Sequence, residues 1–199
     1  MTAQFHDNFL YNDVNYSVSG ISDGKLFDPN ILNLEPVGTC TACWRGYVAS
    51  FSLLHSILVL QNLEINLFRD DCGNLRDKKG PIINAIMPND SQQKFSLFNN
   101  YYYDLNYRID YTGGLLLADD FIQELYVHMG FHPAWKYKNV IELIFEDGVL
   151  INKFDHSEKM AKIRSQIVDA SDKVSTSEPR TFLDTLSFVE NAFDRTYKM

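Results

Sequence analysis

The sequence predicts a mainly β protein of the α+β class, with one antiparallel sheet of consecutive hairpins and two or three covering helices. The chain has 199 residues, of which 14% are aromatic, including 11 Tyr and 14 Phe, and this composition favours strands. Three segments alternate apolar and polar residues with a period of two, as half-buried strands do. Turn-forming residues interrupt these segments near the middle, which is typical of hairpins.

Each of these segments is expected to fold as two strands joined by a tight turn. They are residues 47–63, 105–121 and 140–154, and a shorter hairpin is expected at residues 9–19. Glycine supplies the positive φ that two-residue hairpin turns require, and Asn and Asp tolerate it. The turns are therefore placed at Asn12-Asp13, Thr112-Gly113-Gly114 and Asp147-Gly148, with a glycine-free turn at His55-Ser56.

Helices are predicted at two places in the same part of the chain. Asp120 is a candidate N-cap for a short helix that ends near Gly130, and apolar residues recur on one of its faces. Ser157 is a candidate N-cap for a second helix that extends to about Asp169. Because a half-apolar sheet must be covered, we expect these helices to pack on one of its faces.

The chain is expected to divide into three parts. Residues 5–168 form a single antiparallel β-rich domain, residues 169–178 a polar linker, and residues 179–199 an amphipathic C-terminal helix. The helix is predicted from one apolar stripe, which comprises Phe182, Leu186, Val189 and Phe193. Such a stripe must pack on something, either on its own domain, which we favour, or on a second subunit or partner.

The charge balance excludes some partners. The chain has 18 Lys and Arg against 26 Asp and Glu, a formal net charge of −8, so the basic surface typical of nucleic-acid binding is not expected. Neither a signal peptide nor a membrane span is predicted, because the longest charge-free stretch, residues 46–63, contains several polar residues. Three cysteines do not make a secreted disulfide framework, so a cytoplasmic location is expected.

Cys40 and Cys43 form a Cys-x-x-Cys pair just before a predicted strand. A thioredoxin-like redox pair requires a helix after the second cysteine. A zinc site requires further ligands, for which His128 and His132 have suitable spacing and Cys72 is another candidate. In the structural interpretation, both cysteines are small buried apolar residues. We favour that interpretation and expect no bound metal and no cofactor.

The segment Trp44-Arg45-Gly46-Tyr47 places a planar cation between two aromatic residues. A guanidinium stacks on aromatic rings and donates a forked pair of hydrogen bonds to a carboxylate. As a functional feature, this segment is a pocket for an acidic group or an anchor for another protein. As a structural feature, Arg45 ties the end of a strand to Glu142 or Asp120.

The candidate binding residues are Trp44, Arg45, Tyr47, His128 and His132. No residue is predicted to be catalytic, because the sequence has no Gly-x-Ser-x-Gly elbow, no phosphate-binding glycine loop and no His-Glu-x-x-His motif. The paired carboxylates Glu142 and Glu146 are interpreted as an exposed acidic face of a strand.

Two motifs carry a resemblance to known sequences. One is Thr-x-Cys-Trp-Arg-Gly-Tyr, ending at Tyr47, followed by an alternating strand. The other is Tyr-Val-His-Met-Gly-Phe at residues 126–131, followed by the strand and turn at residues 137–148. Over about residues 9–165 the chain resembles a family of bacterial proteins with no assigned activity. The resemblance implies a bacterial origin and supplies no functional residue.

The predicted function is that of a non-enzymatic cytoplasmic protein that binds another protein. A basic protein is the expected partner, and one version is an immunity-type protein that blocks a basic toxin by electrostatic complementarity. Two alternatives stay open. One is a small-molecule-binding protein or enzyme that uses the region of Trp44, Arg45 and Tyr47. The other is a zinc-binding module on Cys40 and Cys43.

Overall fold

The structure, a computed structural model, describes residues 2–68, 79–90, 97–174 and 194–198, with only the backbone described for residues 168–174. These residues form nine strands and one α-helix. The strands are β1 (Asn8–Tyr11), β2 (Val14–Ile21), β3 (Tyr47–Leu54), β4 (Ile57–Ile65), β5 (Asn100–Tyr102), β6 (Tyr107–Arg108), β7 (Gly113–Phe121), β8 (Tyr137–Glu146) and β9 (Val149–Asp155). The helix α1 spans Ser157–Val174, and short 3₁₀ turns lie at Pro29–Leu32, Gln123–Leu125 and Ala134–Lys136.

The sheet closes on itself through β3. The strand order is β3-β1-β2-β7-β8-β9-β4, and β4 pairs again with β3. The contact between β4 and β9 is the narrowest in this ring, with one residue pair, Ile57 opposite Val149. Two backbone hydrogen bonds support it, from Leu58 N–H to the Gly148 carbonyl at 2.7 Å and from Leu150 N–H to the Ser56 carbonyl at 2.9 Å.

Three of the predicted hairpins are confirmed. β1–β2, β3–β4 and β8–β9 are antiparallel pairs with two-residue turns. Both residues of each turn have positive φ, including those of the glycine-free turn at His55 and Ser56. The hydrophobic alternation and the turn chemistry therefore agree at these places.

The sheet is mixed, which corrects the prediction of a purely antiparallel sheet of consecutive hairpins. β1 lies parallel to β3, with Asn8 opposite Ser50 and Leu10 opposite Ser52. On its other side β1 pairs antiparallel with β2. A parallel pair joins strands that are distant along the chain, so a local sequence pattern does not reveal it.

The predicted hairpin at residues 105–121 is wrong. β6 pairs with β4, whereas β7 begins at Gly113 and pairs with β2 and β8. Gly113 does have a positive φ of 144°, but it begins a strand there and does not turn a hairpin. A Cβ at this residue would lie 2.6 Å from the Tyr111 hydroxyl, so close packing is a second reason for glycine.

The predicted helix between Asp120 and Gly130 is also wrong. β7 continues to Phe121, which pairs with Tyr137 of β8, so the sheet takes the residues that would have begun the helix. The chain then makes only the 3₁₀ turn Gln123–Leu125. The described residues therefore contain one α-helix where two or three were predicted.

The helix predicted to begin at Ser157 is confirmed, and it is longer than expected. It continues to Val174, through the first residues of the predicted linker 169–178. The predicted C-terminal helix at residues 179–199 lies mostly outside the described residues. Its described end, residues 194–198, is not helical, and there Thr196 forms a parallel bridge with Ile21 of β2. The division of the chain into three parts stays a prediction.

The closed sheet encloses the main hydrophobic core. Alternate side chains of its strands are buried there, among them Phe9, Val18, Phe51, Leu60, Leu115, Leu117, Leu143 and Phe145. A second, smaller cluster lies on the outer face of β7 and β8, where Leu116, Ala118 and Val140 pack with Met160 of α1. This outer face carries the site described next.

Candidate functional site

A buried carboxylate holds two arginines from distant parts of the chain. Asp7 is 4% exposed and lies between Arg45, which precedes β3, and Arg195, in the C-terminal segment. Arg45 Nη1 donates to Asp7 Oδ2 at 2.7 Å, and Arg195 Nη1 donates to the same oxygen at 3.0 Å. The other oxygen accepts the Ala49 N–H at 3.0 Å. Every oxygen of this carboxylate therefore has a partner.

The two guanidiniums keep Asp7 ionised. Burial by itself raises the pKa of a carboxyl group, but Arg45 and Arg195 outweigh it and hold the pKa of Asp7 at about 2. Arg45 therefore does form a structural ion pair, as one interpretation of its motif proposed. Its partner is Asp7, at the start of the chain, and not Glu142 or Asp120.

Aromatic rings flank both arginines. The Arg45 Cζ lies 4.8 Å from the centroid of the Tyr47 ring and 5.4 Å from that of Phe131. The Arg195 Cζ lies 4.6 Å from the same Phe131 ring. Phe131 therefore links the Arg45 region to the segment that carries His132. Trp44 lies at the rim, where it is 52% exposed.

His6 connects the same two regions by hydrogen bonds. The His132 N–H donates to His6 Nε2 at 3.1 Å, which leaves His6 Nδ1–H to donate to the Val18 carbonyl at 3.2 Å. Both nitrogens are satisfied when the ring is neutral. Burial, together with the nearby charge of Arg195, lowers the pKa of His6 to about 4.

The imidazole of His132 is buried without a polar partner. The residue is 8% exposed, and its ring lies 4.7 Å from the Phe121 centroid and 5.2 Å from that of Tyr126. Neither ring nitrogen has a hydrogen-bond partner in the part of the chain that the structure describes. Burial and the charge of Lys136 lower the pKa of His132 to about 4, so the ring is neutral near pH 7.

His128 does not join His132 in a ligand set. Its side chain is exposed, and its Nδ1 is hydrogen-bonded to the Tyr126 hydroxyl at 2.8 Å. The structure thus brings Arg45, Tyr47 and His132 into one neighbourhood through Phe131 and His6. It leaves Trp44 and His128 at the surface.

Lys136 is the least expected residue of this neighbourhood. It is 7% exposed, and its Nζ lies 5.4 Å from the Trp135 ring centroid. Among the described residues, none forms an ion pair with it. Burial lowers its pKa. Buried lysines are rare unless they are paired, so this ammonium is a candidate ligand-binding group.

A cavity of about 620 Å³, here called the apolar cavity, lies between the outer face of the sheet, α1 and the C-terminal segment. Its apolar wall comprises Leu116, Val127, Met129, Phe131, Pro133, Ala134, Trp135, Met160, Ile163 and Ile167. Its polar lining comprises Ser19, His132, Lys136, Asp194, Arg195, Thr196 and Tyr197. The unpartnered imidazole and the unpaired ammonium therefore line one apolar space.

Two further cavities adjoin it. The arginine cavity, of about 380 Å³, is lined by Asp7, Arg45, Tyr47 and Arg195 together with Lys25 and Asp28. The lateral cavity, of about 590 Å³, lies on the other side of Met160 and is lined by Glu142, His156 and Phe154 among others. Asp194 also lines the arginine cavity, so its three cations, Lys25, Arg45 and Arg195, face three carboxylates. Asp7 pairs with both arginines and Asp28 with Lys25.

Glu142 is not the exposed carboxylate that the sequence suggested. It is 7% exposed beneath the C-terminal segment. The Tyr197 hydroxyl donates to its Oε1 at 2.6 Å, and its Oε2 lies 2.6 Å from His156 Nε2. Burial, followed by the hydrogen bond to Glu142, raises the pKa of Tyr197. The contact therefore ties the C-terminal segment to β8.

The cysteine pair forms a tight turn before β3. The Cys43 N–H donates to the Cys40 carbonyl at 3.2 Å, and the Cys43 thiol donates to the Tyr47 carbonyl at 3.3 Å. Burial raises the pKa of Cys43, which disfavours the thiolate that binds metals. Within the described ranges, no three His, Cys, Asp or Glu side chains cluster as metal ligands. Cys72 lies outside those ranges.

Sequence analysis missed Asp7, Lys136 and Arg195. Asp7 and Arg195 are separated by almost the whole chain, and neither has a local pattern that marks it as buried. Lys136 does have a weak signal, because it stands between two aromatic residues, Trp135 and Tyr137. A lysine in such a position packs its stem among aromatic rings more easily than in a polar loop.

Comparisons with known proteins identify no relative. No protein-family model matches the chain, and no curated protein or solved structure matches it significantly. Among the described helices, none has the length and apolar character needed to cross a membrane.

Proposed function

We propose that the protein is a non-enzymatic binding protein that holds a small apolar molecule in the apolar cavity. The observation that carries the proposal is the cavity itself, whose volume of about 620 Å³ falls within the range of ligand pockets, roughly 300–1,000 Å³. A mostly apolar wall with a few polar groups is also the usual composition of such pockets. The sequence predicted, as one alternative, a small-molecule site at Trp44, Arg45 and Tyr47. The proposed site is instead the neighbouring apolar cavity.

The wall of the cavity is held by polar contacts outside it. Arg164 of α1 donates from Nε to the Trp135 carbonyl at 2.8 Å and from Nη2 to the Tyr137 carbonyl at 2.6 Å. These bonds fix α1 to the 3₁₀ turn Ala134–Lys136. A wall fixed in this way lowers the conformational cost of binding, because fewer groups must become ordered.

The polar groups of the cavity suit binding better than bond making. His132 is the group most suited to act as a base, but no described hydroxyl or thiol lies within hydrogen-bond distance of its ring. A nucleophile and its base are expected to approach that closely. The proposed role is therefore to hold a molecule and not to transform it.

The test is binding of an uncharged apolar probe to the full chain. We expect octanol and decanol to bind with one-to-one stoichiometry in calorimetry. Decanol should bind more tightly by roughly fifteenfold, since each buried methylene contributes about 0.8 kcal/mol. A variant that fills the cavity, Ile163→Trp, should weaken decanol binding at least about tenfold.

The matched control is Ile82→Trp, which enlarges an exposed isoleucine outside the cavity. It should leave the affinity unchanged, and thermal unfolding of both variants shows whether they fold. If wild-type protein binds neither alcohol, or if Ile163→Trp binds decanol as well as wild type, the proposed function is wrong.

A second candidate is the protein-binding role expected from the sequence, with a basic partner. Its support is an exposed aromatic pair beside the arginine cluster. Phe5 is 40% exposed, and Trp44 is 52% exposed. Arg45 Nη2 donates to the Phe5 carbonyl at 3.1 Å, which holds the two segments together. Exposed aromatic side chains on an acidic protein suit a basic interface, and an immunity-type role is one form of it.

The second candidate is tested with the basic products of neighbouring genes. A partner should bind the wild-type chain and lose at least about tenfold in affinity with Trp44→Ala. The on-rate should fall as salt is added, because exposed charges are screened. The control Leu54→Ala removes an exposed apolar residue elsewhere and should bind normally. An affinity that neither salt nor Trp44→Ala changes would contradict this candidate.

A further inference from the structure

Resting on the proposed function, we propose that the ligand of the apolar cavity is an amphipathic carboxylic acid. Its carboxylate lies on Lys136, and its apolar chain lies along Trp135, Met160 and Ile163. The proposal begins from a lysine that is buried, faces the cavity and has no anionic partner in the described part of the chain.

Lys136 is 7% exposed as a residue, and its ammonium lines the cavity without a counter-charge among the described residues. Desolvation of a charged group is unfavourable unless a counter-charge or hydrogen bonds compensate it. The face of Trp135, 5.4 Å from Nζ, compensates only in part, because cation–π attraction is smaller than the desolvation cost of a charge. A carboxylate that enters the cavity would supply the missing counter-charge.

His132 adds to the same cavity a second polar side chain that lacks a hydrogen-bond partner. A neutral imidazole has one N–H donor and one acceptor, and in His132 both are buried without a partner. A buried donor left unpaired destabilises the folded protein, because it has lost its hydrogen bonds to water. A carboxylate has two acceptor oxygens, so one ligand group can satisfy both Lys136 and the imidazole N–H.

The charge balance favours a monoanion over a dianion. Arg195 also lines the cavity, but its charge is shared with Asp7, to which its Nη1 donates. Asp194 places a carboxylate at the exposed side of the cavity, where its Oδ1 accepts the Thr196 N–H at 2.8 Å. Arg45 and Arg195 share Asp7, which leaves one positive charge, and Asp194 offsets that charge. Lys136 is then the cation in the described lining whose charge no carboxylate balances. One negative charge on the ligand balances it, and two would exceed it.

The apolar wall determines the rest of the ligand. Met160 and Ile163 lie on α1, one turn apart, and both also line the lateral cavity. An unbranched chain can therefore extend from Lys136 along α1 towards the lateral cavity. Methionine adapts its shape to irregular apolar groups, which suits a flexible chain better than a rigid ring.

The test compares probes that share one chain and differ in the head group. Decanoate, decanol, decylamine and decyl phosphate are titrated into the full chain by calorimetry at pH 7. We expect decanoate to bind at least about tenfold more tightly than decanol, and decylamine to bind most weakly. In Lys136→Met the preference for decanoate over decanol should disappear.

Two variants serve as controls. Lys136→Arg keeps the charge and should retain most of the preference for decanoate. Lys138→Met removes an exposed lysine two residues away, which pairs with Asp120, and should change nothing. If Lys136→Met does not fold, the wild-type series and Lys136→Arg still decide the outcome.

Each contrary outcome has a separate meaning. Equal binding of decanoate and decanol overturns the carboxylate proposal and leaves the proposed function intact. Tighter binding of decylamine or decyl phosphate overturns it as well, because the head group is then of another class. A dimer that decanoate dissociates would show that a second copy of the chain fills the cavity, which also overturns it. If no probe binds, the proposed function itself fails.

Discussion

Asp7 is the residue on which the arginine cluster depends. Its carboxylate is the shared counter-charge of Arg45 and Arg195, which are distant in sequence, and it accepts a backbone N–H from β3. If it were lost, two guanidiniums would remain close together without a counter-charge. A buried pair that loses one partner costs more than the pair contributed, because the remaining charge stays buried.

We therefore predict that Asp7→Asn lowers the free energy of unfolding by about 3–5 kcal/mol. Asparagine has the same shape as aspartate and keeps one acceptor oxygen. The loss of stability therefore measures the contribution of the negative charge. The control is Asp13→Asn in the exposed β1–β2 turn, where asparagine tolerates the positive φ of 62°. Urea denaturation followed by circular dichroism measures both variants. Equal stability of the two would show that the cluster is not structural.

The second prediction is that His6 makes the free energy of unfolding depend on pH. Its pKa is about 4 in the folded protein and about 6.5 when unfolded, so the unfolded chain takes up a proton first as the pH falls. The stability due to neutral His6 is present above pH 6.5 and is lost as the pH falls towards 4. The loss at pH 4 is about 3 kcal/mol. Protonation of His6 would also place its Nε2–H against the backbone N–H of His132, which donates to that nitrogen when the ring is neutral.

The measurement is the free energy of unfolding between pH 4.5 and 7. Asp7 contributes to the slope only below about pH 5, and only slightly, because its pKa is about 2 when folded and 3.8 when unfolded. His132 contributes in the same direction as His6. His6→Gln should therefore remove about half of the slope that His6 and His132 contribute together. A slope that His6→Gln leaves unchanged would contradict the assignment.

Among the elements, the β8–β9 hairpin has a turn that packs closely against another segment of the chain. Gly148 has a φ of 76°, and a Cβ there would lie 2.3 Å from the Ile109 carbonyl oxygen. Gly148 N–H also donates to the Tyr111 carbonyl at 2.9 Å. The turn therefore contacts the chain segment that leads into β7, and its glycine is required for two separate reasons.

Gly24 allows the effect of positive φ to be measured apart from the effect of close packing. Its φ is 56°, and a Cβ there would have no neighbour within 4 Å. We predict that Gly24→Ala lowers the free energy of unfolding by about 1 kcal/mol, the cost of the left-handed backbone. Gly148→Ala should lose about 1–3 kcal/mol more, the cost of overpacking. Thermal unfolding measures both. Equal losses would show that the contact with Ile109 is unimportant.

How far the elements could be predicted depends on whether their signal is local. The turns at Asn12-Asp13, His55-Ser56 and Asp147-Gly148 were predictable, because the alternation on both sides and the turn residues lie within a few positions. The parallel pairing of β1 with β3 and the bridge from Ile21 to Thr196 were not, because their partners are far apart in sequence.

The predicted helix after Asp120 failed for a related reason. Its apolar spacing was compatible with a helix, but Phe121 completes the ladder between β7 and β8 and contacts Tyr137. Pairing with an existing strand outweighed a weak local preference. The candidate site shows the same limit: Arg45 and His132 were recognisable as residue types, whereas Asp7 and Lys136 became notable only through their burial.

At the scale of the whole molecule, the C-terminal segment closes the site. Ile21 N–H donates to the Arg195 carbonyl at 2.8 Å, and Tyr197 N–H donates to the Ile21 carbonyl at 3.1 Å. Arg195 binds Asp7, and Tyr197 binds Glu142. This segment thus joins β2, β8 and the N-terminal residues, and it forms one wall of the apolar cavity.

We predict that a chain ending at residue 193 is less stable by at least about 3 kcal/mol, since it loses a buried ion pair and two backbone bonds. Its mass in solution, from light scattering, should equal that of a single full chain less the deleted residues. Tyr197→Phe, which removes only the bond to Glu142, should lose less. Unchanged stability would contradict the structural role. A dimer that becomes a monomer on deletion would show that the segment lies at an interface.

For the whole molecule, the central claim is that the apolar cavity binds the ligand. Photoaffinity mapping tests this claim most directly. Decanoate with a diazirine at the end of its chain is bound to the full protein and irradiated, and the labelled peptides are sequenced by mass spectrometry. We expect labels on α1 around Met160 and Ile163, and we expect excess decanoate to suppress them. Labels around Tyr47 in the arginine cavity, or labels at exposed Ile82 and Met87 that decanoate does not suppress, would contradict it.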